Sequence, residues 1–390
     1  MNQYFLMHKN EICGSLLIDD NTGSLKNYKD HGTGLSPFLG NADVRRMKKW
    51  WEGRAVPASR KMIQEVLKET GCFTTKNYLA KNLALSMTDA YWIRPIDADL
   101  NYEDVKLSGL ALYSDEKVPY YNHTSYDPNA SLGGQMEKYW NVKEFPPALV
   151  KESYKYFGQQ AINEVFATHI HEEQNTEIPY VVYHAGKTED NGIYCCCESF
   201  TNDNVELVSA YEVLEGSKIR NDRSLYENYI DICVSLGIEE KVIRDFMDYQ
   251  TLTDFIISNT DEHLLNFGIL RNSDTMKYIG PAPIFDSGNS MFYTDSLKRY
   301  SRHELLERKI TSFYDSEEKL LKNVRNKGLI NFNHLPTEGK VTDLYRSYGL
   351  PEERATTIAQ NYQTKVEMAF DFSKGKPISL YHEKKKLTFS

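Results

Sequence analysis

Apolar and polar positions alternate weakly over residues 3–17, where YFLM and SLLI supply strand formers, and this predicts a small hairpin. Residues 22–44 are rich in Gly, Asn and Asp and predict a loop. From Ala42 the pattern turns helical. Ser59 suits a helix N-cap, with Met62, Ile63, Val66 and Leu67 following at helical spacing. A second helix is expected over about 76–88. The pair resembles a helix-turn-helix, but a packed helical pair is the commoner use and charge is not concentrated there. Residues 114–130 are polar, contain two prolines and predict a connecting segment.

The period then changes. Residues 146–153 (PPALVKES) predict a short strand containing a lysine, 158–173 a helix, and 177–185 and 192–200 two further strands. From 203 the chain is mainly helical. One helix ends at Gly237, a natural cap, and a long one over 239–258 places Val242, Ile243, Phe246, Leu252, Phe255 and Ile256 on one broad face. It runs into ISNTDEHLLNFGIL (257–270), whose end FGIL predicts a strand, followed by a turn and a second strand in PAPIFD. Helices over 303–309, 314–325 and 352–372 close the chain, the last with Pro351 at its start. No internal repeat is apparent. The basic tail is expected to be partly disordered.

At 390 residues the chain is long for one hydrophobic core, and 27 Tyr with 17 Phe supply large side chains for several packed units. The net charge of −9 argues against wholesale binding of nucleic acid or anionic membrane. The apolar runs of the N-terminus are broken by His8, Lys9 and Glu11, so it does not read as a signal peptide. No stretch approaches the ~18 apolar residues of a membrane span. Three of the six cysteines are consecutive (Cys195, Cys196, Cys197), which fits a buried strand of a reduced, cytoplasmic protein; secretion as an effector stays open. Trp50, Trp51, Tyr91 and Trp92 predict an aromatic core. His169 and His171 sit two apart on a helix, face different ways, and read as a partly exposed face rather than a chelating pair.

The block at 257–270 carries six polar residues in apolar surroundings, each costly to bury without a partner. Around it stand Lys151 in a strand, Glu164 in the next helix, Asp261, Asn266 five residues on, and Asp286 twenty residues later. Phosphoryl transfer from ATP needs such groups in such an order. A lysine, held extended by a glutamate, meets the phosphates; hard oxygen donors, here Asn266 and Asp286, suit Mg²⁺; a further carboxylate, Asp261, orients the attacking hydroxyl. D-x-x-x-x-N is the spacing of the protein-kinase catalytic loop. Singly each motif is weak: Asp261 could cap a helix, Lys151 could be a snorkelling strand lysine, and Glu164 could lie on a solvated helix face.

Taken with SLGGQMEK (131–138), ALVKES, NE (163–164), CESF (197–200) and PIFDSG, the set resembles HipA-like serine/threonine kinases, well over about 131–290 and only in general character elsewhere. The resemblance implies an α+β, two-lobed kinase-like fold: an N-terminal subdomain (1–113), a β-rich N-lobe (114–200), a helical C-lobe (201–375) and a basic tail (376–390). It implies an ATP- and Mg²⁺-dependent protein kinase, with a toxin–antitoxin or effector role open. Gly133, Gly134, Gln135 and Lys138 would cover the phosphates, Lys151 would contact them, and Glu198 and Phe200 would meet adenine. Asp261 would be the catalytic aspartate supported by His263, Asn266 and Asp286 would hold Mg²⁺, and Ser131 would be autophosphorylated. The loop carries one glycine pair rather than GxGxxG, and SFTN stands at the hinge where family members often carry a charged run, so the resemblance does not extend to the ribose contact. Alternatives are a phosphoinositide-type or small-molecule kinase, and a binding or repressor subunit of a toxin–antitoxin pair. Expected partners are a protein substrate and, still open, an antitoxin; direct contact with nucleic acid or membrane is not expected.

Overall fold

Three antiparallel sheets and thirteen helices make up the described part of the chain, a mixed α/β architecture. The computed structural model describes residues 1–390 except 40–41, 61–62, 109–125, 135, 144, 154, 190–191 and 389–390. The expectations on Met62, Gln135 and most of the connecting segment therefore lie outside the described residues.

The first sheet has the order β3-β2-β1-β4, from β1 (Asn2–His8), β2 (Glu11–Ile18), β3 (Leu25–Asp30) and β4 (Tyr91–Pro95). The hairpin is where the pattern put it, but β3 falls inside the expected loop. Its LKNYKD buries only Leu25 and Tyr28, too sparse an apolar pattern to register as a strand. Helices α1 (Val44–Arg54), α2 (Ile63–Glu69), α3 (Thr75–Lys81) and the short α4 (Tyr102–Val105) accompany this sheet. Asp43 caps α1 by accepting from the Arg46 amide at 2.7 Å. α3 stops well short of residue 88 because Leu83 and Ala84 adopt positive φ, and the Leu83 carbonyl accepts from the Ile93 amide instead. Trp50, Trp51, Tyr91 and Trp92 all lie in one buried cluster, as expected of core aromatics.

The second sheet has the order β5-β6-β8-β7, from β5 (Lys138–Asn141), β6 (Ala148–Ser153), β7 (His184–Lys187) and β8 (Ile193–Glu198), with α5 (Gln159–Gln174) packed on it. Cys195 and Cys197 point into the core from β8 while Cys196 faces the other side. The expected strand over 177–185 is mostly absent. Its backbone around Tyr180 and Val181 bonds with Ile284, next to the Asp286 segment, and only β7 joins the sheet. His171 corrects a further expectation: it is buried, with Nδ1 at 3.0 Å from the Tyr249 hydroxyl, rather than partly exposed.

The third sheet, β9 (Val205–Ser209), β10 (Gly268–Asn272) and β11 (Tyr278–Pro281), sits among α6 (Ala210–Glu215), α7 (Leu225–Ser235), α8 (Glu240–Ile257), α9 (Arg302–Glu307), α10 (Glu317–Leu321), α11 (Glu338–Ser347), α12 (Glu352–Ser373) and α13 (Leu380–Thr388). β11 ends at Pro281, since Pro281 and Pro283 bring no amide to a ladder. The tail is not loose as expected. α13 docks through Glu383, which accepts from Arg302 Nε at 3.0 Å. Glu206 of β9 joins the first and third sheets. It accepts from Arg271 Nε at 2.7 Å, from the Ala90 amide at 3.2 Å, and lies 3.2 Å from His8 Nε2. Burial opposes its charge, but the His8 bond and the Arg271 charge outweigh it and hold its carboxyl down at about 2. Among the described residues no helix is long and apolar enough to cross a membrane.

Candidate active site

Alternation along β6 turns Lys151 inward beneath α5, whose Glu164 faces the same space. Lys151 Nζ lies 2.6 Å from Glu164 Oε1 and 2.5 Å from Asp286 Oδ1. Lys151 is 2% exposed and Glu164 1%, so neither snorkels nor lies on a solvated face. One cation between two carboxylates leaves a net negative charge. Burial alone would lower the Lys151 pKa, but Asp286 and Glu164 raise it well above the ordinary range. Burial raises Glu164 despite its lysine. Asp286 goes the other way: burial opposes its charge, yet Lys151 and Lys138 outweigh this and hold it below the usual carboxylate range.

Asp286 takes φ of +65°, a conformation that aspartate tolerates better than most residues. The chain after it hangs on α5. Glu164 Oε2 accepts from the Ser287 amide at 2.9 Å, Asn163 Nδ2 donates to the carbonyls of Gly288 and Ser290 at 2.8 Å, and Gln159 Nε2 donates to Met291 O at 2.8 Å.

The polar block at 259–266 is held together from within. Asn266 Nδ2 donates to the Asp261 carbonyl at 2.7 Å, and His263 Nδ1 accepts from the Leu265 amide at 3.3 Å. Asp261 Oδ2 accepts from Asn289 Nδ2 at 2.7 Å, and Asn289 Oδ1 accepts in turn from Gln160 Nε2 at 2.7 Å. Both atoms of the Asn289 amide are thus committed, and Asp261 is fixed in orientation through α5. Asp261 Oδ1, Asn266 Oδ1 and Asp286 Oδ2 take no bond among the described residues. Asn266 Oδ1 and Asp286 Oδ2 are hard oxygen donors of the kind Mg²⁺ prefers.

Sequence reasoning missed Asn289 and Gln160, and gave Asn163 no role beyond its place in the NE motif. The signal for Gln160 and Asn163 was the run Q-Q-x-x-N-E at the start of a helix that is otherwise largely apolar and buried. It also left Glu262 without a role. Glu262 turns inward, accepting from Gln250 Nε2 at 2.6 Å and Asn259 Nδ2 at 3.0 Å, and that same Asn259 amide reaches Asp254 at 3.0 Å. With Glu317, these acids line a cavity of about 10 Å³, room for one water. Lys365 pairs with Glu317 at 2.5 Å. Burial pushes Glu262 well above the carboxylate range and Asp254 up to about 7. A raised acid binds its proton more tightly folded than unfolded, so stability falls as pH rises between about 4 and 7. Asp254→Asn removes this ionisation. Relative to the unsubstituted chain the variant should gain on the order of 2 kcal/mol between pH 5 and 8 in urea unfolding, and an unchanged difference would assign the shift elsewhere.

The other expected residues are placed as follows. Lys138 starts β5; its Nζ would lie 2.5 Å from a Cβ on Gly134, which has φ of +84°. Burial pushes the Lys138 ammonium down to about 8, and it makes no ion pair among the described residues. Gly133 has open space where a Cβ would stand. Ser131 ends a 3-10 turn, Pro128–Ser131, just before the glycine pair. Glu198 ends β8 exposed, and Phe200 lies against Phe285, the neighbour of Asp286, with ring centroids 5.4 Å apart.

A strand lysine paired with a helix glutamate, facing a D-x4-N loop and a post-strand aspartate, resembles the site of the ATP-dependent kinases. The sequence agrees in class. Over 168 residues the chain is 26% identical to the serine/threonine-protein kinase CtkA of Helicobacter pylori strain J99, a match covering 41% of this chain and 50% of that protein. The chain therefore spans about half the length of the curated relative it matches. The expected resemblance to CtkA-type kinases is borne out by this relative. No family model matches the chain. Among solved structures, the proinflammatory kinase CtkA of Helicobacter pylori aligns with TM-score 0.46 and 19% identity over 62% of this chain and 93% of its own. A chain from the Shewanella oneidensis MR-1 complex of HipA, HipB and operator DNA aligns with TM-score 0.48 and 13% identity over 98% and 95%.

Proposed function

We propose that this chain is an ATP- and Mg²⁺-dependent serine/threonine protein kinase with a two-lobed cleft between the second sheet and the helical region. The observation that carries the reading is the buried Lys151 ammonium held between Glu164 and Asp286, with Lys138 close by and without an ion pair among the described residues. Two cations beside oxygen donors suit a polyphosphate.

In this reading Lys151 and Lys138 bind and orient the phosphates. Asn266 and Asp286 would hold Mg²⁺, which when bound supplies positive charge to the transferring phosphoryl group. A protein hydroxyl oxygen forms the new bond to the γ-phosphorus, the bond to the β–γ bridging oxygen breaks, ADP leaves, and Asp261 Oδ1 takes the hydroxyl proton. Phe200 and the chain at Glu198 would receive the adenine, and His263 would brace the loop. Ser131 would itself accept phosphate, repelling incoming nucleotide. An antitoxin partner belongs to this reading as an extension.

Incubating the chain with radiolabelled ATP and Mg²⁺, together with a cell lysate, is expected to label protein serines and threonines, Ser131 of the chain among them by phosphopeptide mapping. Label confined to lipid or small alcohols would replace the protein-kinase reading. Label on proteins with Ser131 unmodified would remove only the autophosphorylation.

A further inference from the structure

The phosphate-covering loop is gripped from outside the cleft. Arg60, between α1 and α2, is 6% exposed and spends its guanidinium on loop carbonyls. It donates to Leu132 O and Gly133 O at 2.6 Å, to Gly134 O at 3.1 Å and to Lys138 O at 3.3 Å. A buried guanidinium committed to four main-chain acceptors is costly to place unless those acceptors must be held.

The geometry of the peptide unit says what is held. A trans peptide points its N–H opposite to its C=O. Turning the Leu132 and Gly133 carbonyls toward Arg60 therefore turns the Gly133 and Gly134 amides away from it. Neither amide donates to another group among the described residues. Two adjacent free N–H groups, one beside a positive-φ glycine, form an anion-receiving concavity. The ends of the loop are fixed independently. On one side, the Val56 amide donates to Ala130 O at 3.0 Å, Ala130 is buried with Val56, Ile63 and Tyr78, and the Tyr78 hydroxyl donates to Asp127. On the other side Lys138 pairs with Lys151 in the sheet. Between these anchors, the orientation of the glycine pair rests on Arg60.

We propose that Arg60 is a positioning residue that presents the Gly133 and Gly134 amides to the phosphates of the nucleotide, which makes the N-terminal region a working part of the nucleotide site. This rests on the kinase reading above. Arg60 stands apart from the reacting atoms, so its effect is on nucleotide affinity. The test compares Arg60→Ala and Arg60→Lys in the full chain, reading KM for ATP, kcat, thermal unfolding and hydrogen exchange over 132–134. Lysine keeps the charge but lacks the fork. KM is expected to rise about tenfold for Lys and more for Ala, with kcat within about twofold of the unsubstituted chain. Bound ATP should slow exchange at the glycine-pair amides of the unsubstituted chain and protect them less in the variants, and guanidinium at millimolar, non-denaturing concentration should lower KM for the Ala variant. An unchanged KM, or a fall in kcat and unfolding temperature without a rise in KM, overturns the proposal. Should Arg60→Ala fail to fold, full protection of the glycine-pair amides by bound ATP in Arg60→Lys overturns it as well. If the unsubstituted chain binds no ATP, the kinase reading fails and this inference with it, an outcome visible before any variant is made.

Discussion

Asp261→Asn is expected to keep ATP binding within about twofold while lowering phosphoryl transfer by roughly a thousandfold, the range for removing a positioned general base. The side chain keeps its size, and its Oδ1 can still accept from Asn289, so the loop geometry survives. The loop is in any case closed by the Asn266 bond to the Asp261 carbonyl, which a side-chain change leaves alone. What is lost is the carboxylate oxygen that takes no other bond. Comparing phosphoproteomes of cells expressing each form should show a set of serine and threonine sites that vanish with the variant; an identical set would remove Asp261 from the chemistry.

Lys151→Met is expected to do more, and differently. It abolishes measurable ATP binding and also destabilises the chain by about 2 kcal/mol, because the buried Glu164 and the half-buried Asp286 then face each other without their shared cation. The pH dependence separates this from simple loss of packing. In the variant both carboxyls are raised above their unfolded values, so stability is present at low pH and is lost as pH rises through the folded values. Urea unfolding should therefore show the variant closest to the unsubstituted chain near pH 4 and furthest from it near neutrality. A deficit independent of pH would mean that the lysine contributes through its hydrocarbon stem alone. Lys151→Met with Glu164→Gln should recover part of the lost stability, since glutamine keeps an acceptor for the Ser287 amide.

The parts of the fold that were legible in the sequence are those with strong local periodicity. α5, α8 and α12 fall where the apolar spacing put them, as do β6, β8 and the opening hairpin. β3, β4 and β9 escaped because each is short and carries polar residues, Glu206 in β9 among them, whose reasons are tertiary. The candidate site stood out for the same cause turned round. Lys151, Glu164, Asp261, Asn266 and Asp286 are polar residues in apolar surroundings, which marks them in a linear reading. The structure brings Lys151, Glu164 and Asp286 into direct contact and ties Asp261 to Asn266. Arg60 and Asn289 could not be found that way. Arg60 lies more than seventy residues from the carbonyls it grips, and Asn289 lies 28 residues from Asp261; neither partner leaves a local trace.

The start of α5 carries a further consequence. Within six residues it supplies Gln159, Gln160, Asn163 and Glu164, and these reach Lys151, the segment directly after Asp286 and, through Asn289, Asp261. A tilt of that single turn would unhook all three at once. In the kinase reading, donor and acceptor halves of the reaction would be disabled by one small rotation, so this helix would work as a common clutch rather than as two separate brakes.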